Sequence, residues 1–283
     1  MKICVVGLGL IGGSLAKTIK KNTDEIVYGI DINKTAVASA LAQEAIDGEL
    51  APEQLSGCDL VILGLYPQAT IDFIEQNKNN FKSGGIVIDT CGIKQAVVES
   101  AEKSLKGTGV DFLGCHPMAG REFWGFAYAL DNLFDKASFI MTPTENTPER
   151  VVETIREFAL RIGFAGCVTA TPREHDEVIA FTSQLAHVVS SAYIKSPSLL
   201  KQAGFSAGSF KDLTRVAKLN EDMWTSLFLL NREPLLFEID HIIGALTDYR
   251  NAIRDNDEKT LHELLKEGRE LKELSIEKGV KGN

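Results

Sequence analysis

The sequence predicts an α/β fold: a parallel-sheet domain with helices on both faces, followed by an all-helical domain. Through the first 170 residues, short β-branched apolar runs alternate with helical stretches, which is typical of a parallel sheet. A glycine-rich turn directly follows the first apolar run. After residue 170 no strand-like run of comparable length occurs, and apolar residues recur at helical spacing instead.

Six apolar runs are expected to form the strands of the first domain. They read KICVVGLG, EIVYGIDI, DLVILGLY, GIVIDTCG, VDFLGCHP and AGCVTA, the last of which ends near Ala170. Their continuous apolar character indicates strands that are buried on both faces. We therefore expect one domain over residues 1–170 and a second over residues 171–283.

The second domain is expected to open with a long helix. Thr171 can cap it, Pro172 suits its first position, and Glu174 completes a capping box. Further on, an apolar stripe at helical spacing runs through residues 235–253 and is followed by a helix of mixed charge. Two such helices exceed what a small helical domain needs to bury, so we expect a homodimer formed through this domain. The alternative is that the stripe forms an internal bundle core.

Composition narrows the class of partner and the compartment. Lys and Arg total 30 against 39 Asp and Glu, a formal charge of −9, which argues against nucleic acid or an anionic membrane as partner. The five cysteines are odd in number and form no CxxC pair, as expected for reduced thiols without a structural metal. No leader pattern or membrane-length apolar run is present, so a soluble cytoplasmic protein is expected.

The glycine-rich turn predicts a dinucleotide site. In VVGLGLIGGS, Gly7, Gly9 and Gly12 have GxGxxG spacing between an apolar strand and a helical run. The first glycine makes the tight turn, the second lets a pyrophosphate approach the backbone, and the third allows close helix–strand packing. The helix N-terminus then offers amide donors and a partial positive charge. This context favours a Rossmann-type domain, with the candidate cofactor-binding residues Gly7, Leu8, Gly9, Leu10, Ile11, Gly12 and Asp31.

Asp31 indicates which dinucleotide is bound. It ends the next predicted strand, where a carboxylate accepts hydrogen bonds from the adenosine ribose hydroxyls. A carboxylate repels the 2′-phosphate of NADP, and no arginine follows immediately in DINK. We therefore predict NAD as the cofactor.

His116, in GCHPMAG, is the candidate catalytic residue. It lies just beyond the predicted strand VDFLG, and open α/β sheets bind ligands at the carboxyl ends of their strands. A lone histidine is often structural, but other polar residues accompany this one. The helical half carries His175, Ser183 and His187 on one predicted helix, and then Asp212, Arg215 and Trp224. Asp212 and Arg215 alone would be explained by a surface ion pair worth ~0.2–0.5 kcal/mol.

Four separated stretches resemble one enzyme family. GLGLIGGS, GCHPMAG, TPREHDEVIAFTSQLAH and DLTRVAKLNEDMW are together similar to the prephenate and arogenate dehydrogenases of tyrosine biosynthesis, over residues 1 to about 255. The resemblance implies an NAD-dependent oxidative decarboxylation. Its substrate is prephenate, which gives 4-hydroxyphenylpyruvate, or arogenate, which gives tyrosine.

The resemblance also implies roles for individual residues. His116 matches the family's catalytic histidine, which hydrogen-bonds the ring hydroxyl of the substrate. Arg215 matches the arginine that holds a substrate carboxylate, and His187 matches a second histidine that contacts the substrate. His175, Asp212 and Trp224 match family positions that line or gate the pocket. Glu122 matches an acidic residue near the entrance of the pocket. As a general base His116 acts uncharged, so activity is expected to fall below about pH 6.5, the ordinary pKa of a histidine.

The sequence departs from the family pattern near the predicted pocket. Gly92 stands where many relatives carry a serine, which leaves Thr90, Cys91 or a water as candidate replacements. Relatives often read SHxPH where this chain has SQLAH, so Gln184 replaces a histidine; Gln184 and Ser183 are further candidate substrate contacts. The choice between prephenate and arogenate stays open.

Two other functions remain as alternatives. A β-hydroxyacid dehydrogenase shares the order of a glycine-loop domain and a helical domain, but its catalytic lysine lies on the connecting helix, and residues 174–193 contain no lysine. A non-catalytic NAD-binding redox sensor would need the glycine loop and Asp31. It would have no use for His116, His187 and Arg215 together.

Overall fold

The computed structural model describes the backbone of residues 1–121 and 123–281, and the side chains as far as residue 278. The chain divides into two compact units, Met1–Arg232 and Glu233–Asn283. The change from mixed to all-helical structure comes after residue 170, as the sequence indicates, whereas the division by packing lies 62 residues later. The helices between these two points belong to the same compact unit as the sheet.

The described part of unit one contains an eight-stranded sheet in the order β3-β2-β1-β4-β5-β6-β7-β8. Neighbouring strands are parallel except β6 and β7, which are antiparallel. The strands are β1 (Lys2–Val6), β2 (Ile26–Ile30), β3 (Gly48–Glu49), β4 (Leu60–Leu63), β5 (Ile86–Asp89), β6 (Asp111–Pro117), β7 (Ser138–Thr142) and β8 (Gly166–Thr169). This confirms the α/β class and the six expected strands.

Two strands were not expected from the sequence. β3 is only two residues long, too short to give a periodic signal. β7 reads SFIMT, with Phe139 and Met141 buried; the sequence signal for it was a run of three apolar residues, Phe139 to Met141. Its antiparallel pairing with β6 places Ile140 opposite His116. β7 therefore supports the strand that carries the candidate catalytic residue.

Helices cover both faces of the sheet. Along β1, Ile3 and Val5 belong to one apolar cluster while Cys4 and Val6 belong to another, as expected for a strand buried on both sides. The helices of the first half are α1 (Leu10–Asn22), α2 (Lys34–Ala42), α3 (Pro67–Asn77), α4 (Gln95–Leu105) and α5 (Glu149–Arg161).

The long helix expected after Thr171 forms with an irregular centre. It comprises α6 (Pro172–Ile179), a π-helical stretch (Ala180–Leu185) and α7 (Ala186–Tyr193). The predicted capping box is present: the Thr171 side chain accepts from the Glu174 N–H, and the Glu174 carboxylate accepts from the Thr171 N–H. π-helical stretches often occur at functional sites, because the extra residue redirects the side chains.

The remaining helices of unit one are short. They are α8 (Gly208–Thr214), a 3₁₀ turn over Arg215–Ala217, and α9 (Glu221–Leu230). α7 packs against both α8 and the 3₁₀ turn. The segment Asp212–Arg215 therefore crosses from a helix into a tighter turn.

Unit two consists of two long helices, α10 (Arg232–Arg254) and α11 (Glu258–Lys281), the first of which begins at the last residue of unit one. They meet where the Tyr249 hydroxyl donates to the Leu264 carbonyl oxygen at 3.1 Å. Much of the predicted stripe is exposed, with Leu246 60% and Ile253 63% accessible. Within the described residues, no helix combines the length and apolar character needed to cross a membrane.

Candidate active site

The glycine turn at the end of β1 needs glycine for two separate reasons. Gly7 has φ +87°, and a Cβ added there would lie 2.6 Å from the Gly64 carbonyl oxygen. A Cβ added to Gly12 would lie 1.9 Å from the Gly7 carbonyl oxygen and 3.2 Å from Val5 Cγ1. The first glycine therefore makes the turn, and the second lets α1 pack closely against β1.

Gly9 differs from these two glycines because its α-carbon faces open space. A Cβ built there meets no atom within 4 Å. Gly9 is the N-cap of α1 without a side-chain cap hydrogen bond, and the first turn of α1 carries no acidic residue. The positive end of α1 therefore opens onto free space, which suits the pyrophosphate of a dinucleotide.

Asp31 ties the end of β2 to this turn. One carboxylate oxygen accepts from the Leu8 N–H at 2.6 Å, and the other accepts from the Asn33 N–H at 2.7 Å. Each carboxylate oxygen has a second lone pair with which to accept a hydrogen bond from a ribose hydroxyl. The turn and Asp31 therefore fit NAD.

A buried ion pair supports the carboxyl ends of β5 and β6. The Lys94 ammonium pairs with Asp89 Oδ2, and both side chains have 0% exposure. Lys94 also donates to the Cys115 carbonyl oxygen at 2.6 Å, while Asp89 accepts from the Cys115 N–H at 3.1 Å. Both main-chain groups of the residue before His116 are thus fixed.

His116 at the end of β6 is hydrogen-bonded to His175 on α6. The His116 Nδ1 to His175 Nε2 distance is 2.9 Å, and His175 Nδ1 lies 2.8 Å from Asp176 Oδ1. Burial lowers the pKa of His116 well below its usual 6.5, and His175 and the Lys94 charge lower it further. Burial also lowers the pKa of His175, against the opposing effect of Asp176. Both imidazoles are therefore neutral near pH 7.

Asp176 is a central member of this arrangement that the sequence analysis missed. Its carboxylate accepts from the Lys94 N–H at 2.7 Å and the Gln95 N–H at 2.9 Å, at the N-terminus of α4. The Asn231 amide donates to the Asp176 carbonyl oxygen at 2.9 Å and to Gln184 Oε1 at 2.8 Å. The acidic residue beside His175 was the available sequence signal.

Gly92 leaves space beside the His116 ring. A Cβ at Gly92 would lie 3.9 Å from His116 Nε2 and 4.0 Å from Leu227 on α9. Thr90 donates its hydroxyl to the Leu63 carbonyl oxygen, and the buried Cys91 thiol lies 3.4 Å from the Thr70 hydroxyl and 3.5 Å from the Leu65 carbonyl oxygen. Both side chains therefore make their polar contacts with the end of β4 and the segment that follows it.

His187 and Trp224 form a second aromatic pair. Their rings stack with centroids 3.8 Å apart, and the His187 Nδ1 lies 2.8 Å from the Ser183 carbonyl oxygen. Trp224 precedes Leu227, the residue beside Gly92, by one turn of α9. α9 thus links the His187–Trp224 pair to the Gly92 region.

The other predicted site residues have mixed settings. Gln184 is buried within the π-helical stretch and holds Asn231, so its side chain is structurally engaged. Asp212 and Arg215 are exposed, on α8 and on the 3₁₀ turn that packs against α7. The structure thus joins His116 with His175 and His187 with Trp224. Glu122 lies outside the described residues.

Two family models match the chain. The model described as "Prephenate dehydrogenase, nucleotide-binding domain" matches residues 15–165, and the one described as "Prephenate dehydrogenase, dimerization domain" matches residues 171–267. Among curated relatives, prephenate dehydrogenase of Bacillus subtilis is 31% identical over 96% of this chain and 75% of its own length. Cyclohexadienyl dehydrogenase of Zymomonas mobilis is 29% identical over 95% of this chain and 94% of its own length.

Solved structures agree with these matches. Prephenate dehydrogenase of Aquifex aeolicus, in complex with hydroxyphenyl propionate and NAD+, has a TM-score of 0.87 and 28% identity over 98% of both chains. Arogenate dehydrogenase of Synechocystis has a TM-score of 0.84 and 27% identity over 97% of this chain and 100% of its own. A 3-hydroxyisobutyrate dehydrogenase of Salmonella typhimurium, 16% identical with a TM-score of 0.64 over 89% of this chain and 95% of its own, shares the fold. The chain belongs to the prephenate dehydrogenase family.

Proposed function

We propose that this protein oxidatively decarboxylates prephenate or arogenate with NAD+. The observation that carries the proposal is the partly buried imidazole of His116 at the carboxyl end of β6, on the sheet edge where the glycine turn and Asp31 also lie. Relatives that act on either substrate resemble the chain over nearly its whole length. Both substrates share a ring hydroxyl and a carboxylate on the opposite, quaternary ring carbon.

His116 is the group that accepts the hydroxyl proton. Its lowered pKa keeps the imidazole neutral, so it is ready to act as a base. The chemistry that NAD+ supplies is acceptance of a hydride from the hydroxyl-bearing carbon. As that carbon becomes a carbonyl, the C–C bond to the ring carboxylate breaks, carbon dioxide leaves, and its electron pair completes the aromatic ring. Aromatisation leaves a phenolate oxygen, which takes back the proton held by His116, so the products are 4-hydroxyphenylpyruvate or tyrosine, together with CO₂ and NADH.

Residues of the helical segment hold the substrate. Arg215 is assigned to a substrate carboxylate, which a guanidinium binds through two parallel donors. His187 and Trp224 form an aromatic wall, and His175 lines the pocket through its contact with His116. Asp212, Ser183 and Gln184 are assigned to its periphery.

The proposal includes an assembly and a compartment. Residues 1–170 form the NAD-binding domain, and residues 171–283 form the substrate-binding domain through which a homodimer assembles. The family description of residues 171–267 as a dimerization domain and the exposed Leu246 and Ile253 of α10 support this assignment. A cytoplasmic location suits the five free cysteines.

Absorbance at 340 nm tests the proposed function. The purified protein is mixed with NAD+ or NADP+ and with prephenate, arogenate or 3-hydroxyisobutyrate. We expect NADH formation with prephenate or arogenate, and weaker activity with NADP+. Turnover of 3-hydroxyisobutyrate alone would support the β-hydroxyacid dehydrogenase alternative, and NAD+ binding without any turnover would support the redox sensor.

A pair of variants tests the role of His116. His116→Asn is expected to lose ~10²–10⁴-fold in kcat, the usual contribution of a general base. The matched control is His262→Asn, an exposed histidine on α11. An unchanged kcat in His116→Asn would remove His116 from the mechanism.

A further inference from the structure

Three side chains form a continuous hydrogen-bonded series that ends at the candidate base. The series runs from Asp176 through His175 to His116, with heavy-atom distances of 2.8 and 2.9 Å. We propose that Asp176 and His175 are positioning residues that hold His116 in the tautomer whose unprotonated Nε2 faces the reacting hydroxyl. This inference rests on the proposed function, because it assigns a task to His116.

The series starts from a group that only accepts hydrogen bonds. The Asp176 carboxylate receives the Lys94 and Gln95 N–H groups at the start of α4, an 11-residue helix whose N-terminus stabilises an anion. Backbone N–H groups donate, so the oxygens they contact must accept. Oδ1, which receives the Lys94 N–H, is also the atom that His175 approaches. His175 must therefore carry its proton on Nδ1.

That proton fixes the other three ring nitrogens in turn. A neutral imidazole has one N–H, so His175 Nε2 is an acceptor once Nδ1 is protonated. His116 Nδ1, 2.9 Å from it, must then be the donor. His116 Nε2 is left with a lone pair, which is the form that a general base requires. The opposite tautomer would place an N–H where the substrate hydroxyl must lose its proton.

The free nitrogen lies beside a residue that has no side chain. Nε2 lies 3.9 Å from the position of a Gly92 Cβ, at the loop that follows β5. β5 lies between β4 and β6, on the side of the sheet order toward β1 and its glycine turn. The proposal therefore places the reacting hydroxyl at Nε2, at the carboxyl edge of the sheet where the cofactor also fits.

Other charged groups near the series do not supply its proton. Lys94 and Asp89 form a fully buried pair whose ammonium is committed to Asp89 Oδ2 and the Cys115 carbonyl oxygen. On the α6 side, Asn231 donates to the main-chain oxygen of Asp176, not to its carboxylate. Asp176 thus remains the group that orients His175.

Asp176→Asn is the first test, with Glu177→Gln as its matched control. The two acidic residues are adjacent on α6, but Glu177 is exposed and pairs with Arg173. We expect Asp176→Asn to lower kcat by ~10²–10⁴-fold, up to the full general-base contribution, with little change in the KM for NAD+. The acidic limb of its pH–rate profile should move, because the carboxylate raises the pKa of His175. Glu177→Gln should leave both unchanged.

Nitrogen NMR tests the tautomer directly and needs no substrate. The chain has five histidines, so ¹⁵N-histidine labelling gives a tractable spectrum, assigned with His116→Asn. We expect protonated Nδ1 and unprotonated Nε2 for both His116 and His175. In Asp176→Asn, His116 should show a mixed or reversed tautomer. A His116 carrying its proton on Nε2 in the unmodified protein would overturn the proposal.

A second pair of variants guards against misfolding of Asp176→Asn, whose amide has one carbonyl oxygen for two N–H donors. His175→Gln keeps an acceptor that can receive the His116 Nδ1–H, whereas His175→Ala does not. We expect His175→Gln to retain at least tenfold more kcat than His175→Ala. Equal activity of the two variants, or full kcat in folded Asp176→Asn, would sink the assignment. If neither prephenate nor arogenate is turned over, the proposed function fails while the NMR result still decides the tautomer.

Discussion

Replacing Lys94 by methionine would leave a carboxylate buried without its cation. The Lys94 and Asp89 side chains have 0% exposure, and the Lys94 ammonium also holds the Cys115 carbonyl oxygen at 2.6 Å. Methionine nearly matches lysine in length but offers no donor. The substitution therefore removes the charge and two hydrogen bonds with little change in packing volume.

The expected loss is a large fraction of the stability of an ordinary protein. Breaking a buried ion pair by removing one partner costs about 3–5 kcal/mol, since the other charge stays desolvated. Total free energies of unfolding are about 5–15 kcal/mol. At about 2–4 °C per kcal/mol for a chain of this size, Tm should fall by roughly 6–20 °C.

The double variant Lys94→Met with Asp89→Asn separates the charge from the hydrogen bonds. Asparagine removes the unpaired charge and keeps one carbonyl oxygen, although Asp89 accepts from both the Cys91 and Cys115 N–H groups. The double variant should therefore recover at least ~1 kcal/mol relative to Lys94→Met, without reaching the original stability.

Urea unfolding followed by tryptophan fluorescence and circular dichroism measures these differences. Lys103→Met, an exposed lysine on α4, is the control and should change stability by less than ~0.5 kcal/mol. A loss below ~1 kcal/mol in Lys94→Met, or a double variant less stable than the single one, would refute the reasoning.

Four further predictions concern the cofactor, the substrate and pH. Gly12→Ala places a Cβ 1.9 Å from the Gly7 carbonyl oxygen, so the glycine turn must move. Isothermal titration calorimetry should show that the affinity for NAD+ falls at least tenfold. An unaltered affinity would contradict this packing. Arg215→Ala should weaken substrate binding by ~2–5 kcal/mol if the carboxylate pair is desolvated, and a KM that does not change would exclude that role. Because the pKa of His116 is lowered, the imidazole stays neutral at lower pH than an ordinary histidine does. The fall of kcat on the acidic side of the pH–rate profile should therefore have its midpoint below pH 6.5. A midpoint at or above pH 6.5 would contradict this effect of burial. The pKa values of His116 and the buried His175 are both lowered, so unfolding takes up as many as two protons below pH 6.5. Chemical denaturation should show full stability above that pH and a decline of up to ~2.7 kcal/mol per pH unit below it.

The sequence predicted the features that depend on neighbours along the chain. Each apolar run formed the expected strand, and the capping box at Thr171 formed as predicted. Gly7 also has the positive φ of a tight turn, and Gly12 the close contact with the chain around it, that their spacing predicted. These features arise within a few residues, where backbone sterics and local hydrogen bonds decide the outcome. The family resemblance, carried by four motifs in order, was likewise available from the sequence and is confirmed.

Partners that lie far apart in the chain were beyond such reasoning. Asp176 meets the Lys94 and Gln95 N–H groups across 82 and 81 residues, and His175 meets His116 across 59. Asp176 lies next to His175 in the sequence, but nothing local shows that its carboxylate is buried while that of the adjacent Glu177 is exposed. The sequence-based expectation of an acidic limit near pH 6.5 assumed the ordinary pKa of a histidine, whereas burial and nearby charge lower the pKa of His116 in the folded chain.

The order of residues along the chain was enough to predict the fold class, the position of the glycine turn and the residue types available for proton transfer. The tautomer proposed for His116 could not be predicted in this way, because it depends on Asp176 and His175, which a different helix brings to His116. A tautomer is set by hydrogen bonds through space, and burial sets the proton affinity. The tautomer and the proton affinity are therefore properties of the packed chain, whereas periodicity and turn chemistry are properties of the order of its residues.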